Sequence, residues 1–399
     1  MKVENTSGQA QLKRGNRMAL IRQLRVQPGQ SRVDLAHALG LTKSTVSALS
    51  RELIDEGWLV EREVLVTGDI GRRPTPLFVD PDRLLLLGAE VGIGNVRVVL
   101  TSLTGEIKSA LNAEYDASLG PSSCIEVLAQ AVLDAAESVG EAQRVIGVGV
   151  GLPGGVDEAR GQLVFAPNLQ WHNVPISAML STALRGTALA GVPVFIQNDA
   201  DVAALGETEF NPSPTADPLL FAFISEGVGA GVIIGGRLLT GARGFAGEVG
   251  HMVLQLDGPR CSCGRQGCVE ALVGTRAILR EVNHGDDSPT QPRDLAAVRA
   301  RLMAGDPQAT RAVAMAGRYL GVLLQNLAAA YDPACIVLGG PVIDLGETLL
   351  KPAREALQGY AKAAQVQEPM LRVSRFGADA IALGAAALAG YRLTQPTLA

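Results

Sequence analysis

An α/β body behind a winged helix-turn-helix head is the fold class the sequence predicts, and three observations predict it. Short amphipathic helices, each with its own cap or turn residue, crowd the N-terminus. From about residue 81 onward strands alternate with helices. The charge also changes sign along the chain: residues 1–76 hold 12 Lys and Arg against 8 Asp and Glu, and the remainder holds 23 against 32. A basic head on an acidic body assigns any polyanion to the head.

The first helix is expected over Arg14–Val26, where Met18, Ile21 and Leu24 form one apolar stripe. Pro28-Gly29 ends it. Ser31-Arg32-Val33-Asp34 is a capping box opening a second helix through Leu35, Ala36 and Leu39, and Gly40 closes that helix in a left-handed turn. Thr42 caps a third helix with Val46, Leu49, Leu53 and Ile54 facing inward. This spacing is that of a helix-turn-helix, whose second helix enters the major groove N-terminus first. Lys43, Ser44, Thr45, Ser47 and Arg51 then face base edges and phosphates. Two alternating stretches around Thr67-Gly68-Asp69 read as a β-hairpin wing. Arg72 and Arg73 at its end suit a minor groove or phosphates. The head is placed at 1–80 and the body at 81–399.

In the body, Leu84 to Ala110 reads as a β-meander, Cys124 to Val139 as a helix and RVIGVGVGL as a buried strand. VPVFIQ is a strand running into Asn198-Asp199 and an alanine-rich helix. LLFAFISEGVGAGVIIGGRLL reads as two strands about a glycine turn, GRYLGVLLQNLAAAYDP as a helix, ACIVLGGPV as a strand and ALGAAALAGYRL as the last helix. Glycine-rich strand turns near residues 92, 229 and 339 suggest two similar halves. Gly149-Val-Gly151-Leu-Pro-Gly154 matches the dinucleotide-binding pattern letter for letter. Pro153 and Gly155-Val156-Asp157 do not open a helix, however, and no acidic residue follows at the required distance, so that reading is rejected.

Hydrophobic residues make up 47% of the chain and charged ones 19%, with 46 glycines, which excludes a disordered chain. Runs such as RLLLLGAEVGI are too short to span a bilayer, and no signal peptide is evident. The expected compartment is the cytoplasm, where thiols stay reduced.

Three of the five cysteines fall within CSCGRQGC, residues 261–268. With His251 they supply one imidazole and three thiolates, a donor set for closed tetrahedral Zn2+ within a loop spanning 251–270. Gly264 and Gly267 let the chain turn back tightly enough. In a reducing compartment a disulfide is the weaker reading. Glu248, His251 and Glu270 bracket this loop, and Asn198-Asp199 follows a strand end, where α/β proteins place ligand groups. Each taken singly is equally a cap or a surface charge. Together, carboxylates and an amide suit a polyhydroxylated ligand.

These stretches resemble ROK proteins, in particular their repressor branch, which includes xylose repressors and glucose- and N-acetylglucosamine-responsive regulators. GEVGH with CSCGRQGCVE resembles that family's sugar-and-zinc signature, GLPGGVDEARGQLVFAPNLQW its sugar loop, and IQNDADVAALGE the segment holding the catalytic aspartate of family kinases. The resemblance implies a two-lobed, actin-like sugar-kinase fold behind a winged helix. It implies sugar contacts from Gly155, Asn168, Asn198, Asp199, Glu248, His251 and Glu270. Zinc would be held by His251, Cys261, Cys263 and Cys268. The chain departs from the family's kinases at both phosphate loops, with Glu90, Ile93 and Gly94 in the first and Glu226 in the second. Glu226 would set a negative charge beside a phosphate. The expected protein is therefore a sugar-responsive repressor rather than an enzyme, with Asp199 a vestigial base. Its partners are double-stranded operator DNA, a small sugar (xylose before glucose) and a second copy of the chain, as homodimer or tetramer. The alternative is an ATP-dependent sugar kinase with a fused DNA-binding head.

Overall fold

The computed structural model describes residues 4–62, 75–211, 216–285 and 291–395. Helices α1 (Glu4–Val26), α2 (Arg32–Leu39) and α3 (Lys43–Asp55) form the head. Ser31 and Asp34 make the reciprocal capping box, Gly40 takes the left-handed conformation, and Thr42 accepts from the Thr45 N–H. Met18, Ile21, Leu24, Val46, Leu49 and Leu53 are buried together. The first helix starts at Glu4, ten residues earlier than expected. Its N-terminal turns are polar, and Lys13 and Arg17 near its middle pair with Glu52 of α3 and with Glu56 just beyond it. The wing strands β1 (Leu59–Glu61) and β2 (Leu77–Val79) pair antiparallel. The expected turn at Thr67-Gly68-Asp69, with Arg72 and Arg73, lies outside the described residues.

The first lobe of the body runs β3 (Leu84–Val91), β4 (Asn95–Ser102), β5 (Ile107–Glu114), α4 (Pro121–Ala136) and β6 (Arg144–Leu152). A small sheet follows, of β7 (Gly155–Asp157), β8 (Gln162–Ala166) and β9 (Trp171–Val174). Then come α5 (Ile176–Ala183), β10 (Val194–Asn198) and α6 (Asp199–Glu209). The second lobe begins with β11 (Leu219–Ile224), β12 (Val228–Ile234) and β13 (Arg237–Leu238). It continues through α7 (Glu270–Val273), α8 (Thr275–Val282), α9 (Leu295–Met303) and α10 (Pro307–Tyr331). It ends with β14 (Cys335–Gly339), α11 (Glu347–Ala364), β15 (Met370–Val373) and α12 (Ala380–Leu393).

The two large sheets have one plan. The order β5-β4-β3-β6-β10 in the first lobe corresponds to β13-β12-β11-β14-β15 in the second, each an antiparallel meander extended by two parallel strands. The two halves suggested by the glycine-rich turns are thus present as topology. Each fifth strand leads into a helix that crosses to the other lobe: α6 leaves β10 and packs on β11 and β12, while α12 leaves β15 and packs on β3 and β6.

Glycine and alanine permit that exchange. Residues 380–391 of α12 are all buried, as expected of a helix that is apolar all round. A side-chain carbon at Gly149 would overlap the Ala385 carbonyl, and one at Gly88 would lie 2.9 Å from Ala386 Cβ. On the other side, a carbon at Gly231 would sit 2.7 Å from Ala204 Cβ. Where the helices cross, a carbon at Gly206 would stand 3.0 Å from Gly384 Cα. The glycines that imitate a nucleotide motif therefore serve close helix–sheet packing, and β6 ends at Leu152 without opening a helix. No helix among the described residues is long and apolar enough to cross a membrane.

Candidate functional site

A cavity of about 470 Å³ opens between the lobes. Strand β10 delivers Asn198 and α6 begins with Asp199, so both reach the cavity from a strand end. The β8–β9 turn brings Asn168, and the loops flanking α7 bring Glu248, His251 and Glu270. Gly155 lines an adjoining pocket together with Glu248, His251 and Phe245. It starts β7 and packs on the Phe245 ring, whose Cζ would lie 2.6 Å from a carbon added there. Asn198 has a structural task as well: its Oδ1 accepts from the N–H groups of Ala200 and Asp201, and its Nδ2 donates to the Gly154 carbonyl at 3.0 Å. It caps α6 and pins the 153–155 loop at once.

Several lining groups were not assigned from the sequence: Glu90 and Asn95 on the first lobe, Ser225, Glu226 and Arg293 on the second. Both segments compared with phosphate loops thus border the same space as the expected sugar residues. Glu226 does not stand as a bare charge, since Arg276 Nε lies 2.9 Å from its Oε2. Glu90 faces Arg97 across the β3–β4 register, but Arg97 pairs with Asp379.

Burial pushes the Glu90 carboxyl up to about 7, and the nearby Asp199 charge adds to the shift. Burial likewise raises Asp199 to about 6, against hydrogen bonds that favour its carboxylate. Glu248 is raised by burial too. The linkage sign follows for Glu90. Its ordinary value is 4.5, so between pH 4.5 and about 7 the folded chain holds a proton that the unfolded chain has lost. Stability therefore falls as pH rises through that window. Because the side chain still meets cleft water, Glu90→Gln is expected to gain only about 1–2 kcal/mol at pH 8 and nothing near pH 4. Urea unfolding at the two pH values checks this, and equal gains at both would refute the assignment.

His251, Cys261, Cys263 and Cys268 present ligand atoms all within 4.8 Å of one another. Bond lengths of about 2.3 Å to sulfur and about 2.0 Å to nitrogen give tetrahedral edges of roughly 3.8 Å between sulfurs and roughly 3.6 Å between sulfur and nitrogen. Cys263 Sγ and Cys268 Sγ are 3.8 Å apart, and Cys261 Sγ is 3.6 Å from His251 Nδ1. The donor set fits a zinc ion. His251 Nδ1 faces the thiols while its Nε2 faces Glu248 at 4.0 Å, so one imidazole spans the metal loop and the cleft. Glu270 does the same. Its Oε1 accepts from Ser262 and from the Cys261 thiol, and its Oε2 points toward Gly227 at the cleft.

On the head, Lys43, Ser44 and Arg51 are exposed and Thr45 and Ser47 half-buried, on the face of α3 opposite its buried Val46, Leu49 and Leu53. Because Glu52 and Glu56 are paired with α1, the open face keeps Lys43 and Arg51. The Ser44 and Thr45 hydroxyls gather on Thr42 Oγ1 at 2.9 and 2.8 Å, which fixes the helix N-terminus.

Comparison with known proteins agrees with this geometry. The profile of the ROK family matches residues 86–392, and that of winged helix-turn-helix DNA-binding proteins matches residues 14–60. A xylose repressor of Caldicellulosiruptor bescii is 29% identical over 392 residues, 94% of this chain and 96% of the repressor. The crystal structure of a ROK family transcriptional regulator, a homologue of the E. coli MLC protein, superposes with a TM-score of 0.79 at 25% identity, covering 97% of this chain and 98% of the regulator. A ROK family glucokinase from Streptomyces griseus, solved with glucose and AMPPNP, gives 0.67 at 28% identity, over 76% of this chain and 99% of the kinase.

Proposed function

The chain belongs to the ROK family, and from that premise we propose that it is a sugar-responsive transcriptional repressor. One observation carries the reading: a winged helix with a cationic recognition face and a carboxylate-lined cleft occur in one chain that is co-extensive with a named repressor. Asp199, Glu248 and Glu270 accept hydrogen bonds from sugar hydroxyls, and Asn168 donates. Gly155 acts one step removed, by placing Phe245 and the loop that Asn198 holds. Zn2+ at His251, Cys261, Cys263 and Cys268 has a structural role, fixing Glu270 and His251 in the cleft wall. Xylose is the first candidate effector, after the relatives, and glucose the second. The sugar acts by binding unequally to DNA-competent and DNA-incompetent states. Operator DNA is read by Lys43, Ser44, Thr45, Ser47 and Arg51, with Arg72 and Arg73 of the wing, in a dimer whose two heads meet half-sites a turn apart.

A sugar kinase with a fused head is the second reading, and the Asp199 carboxyl near 6 favours it, since a base must titrate near its working pH. Glu90, Ile93 and Glu226 oppose it by setting carboxyls and an exposed aliphatic side chain where nucleotide phosphates would lie. A thermal-shift panel of free sugars and sugar phosphates, with and without Mg-ATP, separates the two. Stabilisation by a free sugar alone supports the repressor. A separate shift by ATP overturns it in favour of the kinase. For the head, Lys43→Ala is expected to weaken DNA binding and to reduce the salt slope by about one, leaving sugar affinity unchanged. An unaltered slope removes Lys43 from the DNA contact.

A further inference from the structure

Both exchanged helices begin at the cleft and end at the head. Asp199 opens α6 in the cleft wall, and Glu209 at its other end pairs with Arg25 of α1. Ile381 of α12 lines the cleft, while Tyr391 lies under the Arg22 guanidinium, 5.6 Å from ring centroid to carbon. Gly390 abuts Arg25, whose Nη2 would be 3.1 Å from a carbon added there. Eleven residues of α6 span about 16 Å.

Midway, the Gly206–Gly384 crossing brings the two backbones into contact. No flexible side chain lies between them to absorb a shift, so displacement of one helix moves the other. Each helix belongs by sequence to one lobe and by packing to the opposite one. A ligand held by Asn168 and Asp199 of the first lobe and by Glu270 of the second therefore changes the angle at which both helices are gripped.

The receiving end is sensitive to such a change. Arg25 is 10% exposed and Glu209 18%. Nε and Nη2 of Arg25 have no hydrogen-bond partner among the described residues, so Glu209 is its principal acceptor. A buried guanidinium with one acceptor tolerates poorly any movement that separates the two. It holds the head in one place or releases it.

We infer that α6 and α12, locked at Gly206–Gly384, form the lever by which occupancy of the cleft sets the position of the DNA-binding head, and that Arg25–Glu209 is the positioning contact that receives its motion. The inference rests on the sugar-responsive reading and adds its means of transmission. Neither Arg25 nor Glu209 touches the cleft, so the pair acts only through the helices.

Hydrogen-exchange mass spectrometry on the full-length chain, with D-xylose and then D-glucose as probes, tests it. In the wild type the bound sugar is expected to slow exchange around residues 153–155 and 198–200 and also to alter exchange in α1. Glu209→Gln is expected to keep the cleft protection, which shows that it is folded and binds, and to lose the α1 response. Arg25→Lys keeps the charge without the guanidinium geometry, and at least half of the α1 response should disappear. An α1 response of wild-type size in either variant overturns the lever. If neither sugar protects the cleft of the wild type, the sugar-responsive reading falls first, and the two failures are thereby told apart.

Discussion

Exchange of Cys263 for serine is expected to weaken zinc binding about a hundred-fold and to lower sugar affinity in the same step. A serine hydroxyl stays protonated at neutral pH and does not replace a thiolate. Structural zinc sites of four ligands contribute about 10–16 kcal/mol of apparent binding energy, so one lost ligand removes roughly 3 kcal/mol, a hundred-fold in metal affinity. The effect reaches the cleft through two side chains. His251 presents one nitrogen to the cysteine sulfurs and the other to Glu248, and Glu270 accepts from Ser262 while bordering Gly227. With the loop released, both turn freely and sugar affinity should fall about ten-fold or more, since each hydrogen bond to a charged group contributes about 1.5–3 kcal/mol. Metal content measured with a chromophoric chelator, beside calorimetric titration with D-xylose, checks both halves. Full sugar affinity in a metal-free Cys263→Ser protein would show that the loop does not organise the cleft.

Gly384→Ala should cost at least about 3 kcal/mol, at the upper end of what overpacking does to a core. The sign is the informative part. In a helix interior, glycine to alanine ordinarily stabilises by about 0.5–1 kcal/mol. At Gly384 the added carbon meets the backbone of Val202 and Ala203, with Ala203 N at 2.7 Å, and backbone cannot swing aside. Gly359 in α11 has nothing within 4 Å of the same carbon, so Gly359→Ala should follow the ordinary rule and stabilise. Urea unfolding of the pair measures both. A Gly384→Ala protein as stable as Gly359→Ala would mean that the helices are not in backbone contact at the crossing.

What could be read in the sequence was what short-range chemistry decides. A capping box, a left-handed glycine and a capping threonine each act within four residues, and so both ends of α2 and the start of α3 were predicted. The donor cluster spans only His251 to Cys268, and three cysteines within eight residues already pointed to a shared site there. The exchange of α6 and α12 was hidden because it joins residues far apart in the chain. Local sequence excluded a phosphate partner for Gly149, but nothing local assigned it to Ala385. The Glu226–Arg276 pair and the turning of Arg97 from Glu90 to Asp379 were equally invisible, since each partner lies in a separate element. The packing of Gly155 on Phe245 was hidden for a related reason, since Phe245 lies ninety residues on.

The crossing of α12 onto the first lobe also sets the order in which the body can be built. Strands β3 and β6 leave the ribosome early, yet the helix that covers them is made after every other described element. At about 5–20 residues per second, the 195 residues between Asn198 and Leu393 take roughly 10–40 s to synthesise. For that interval the nascent first sheet presents an uncovered apolar face, an opening for holdase chaperones and for aggregation. A stop codon just upstream of Ala380 would remove α12, and it would be the first lobe that failed to close.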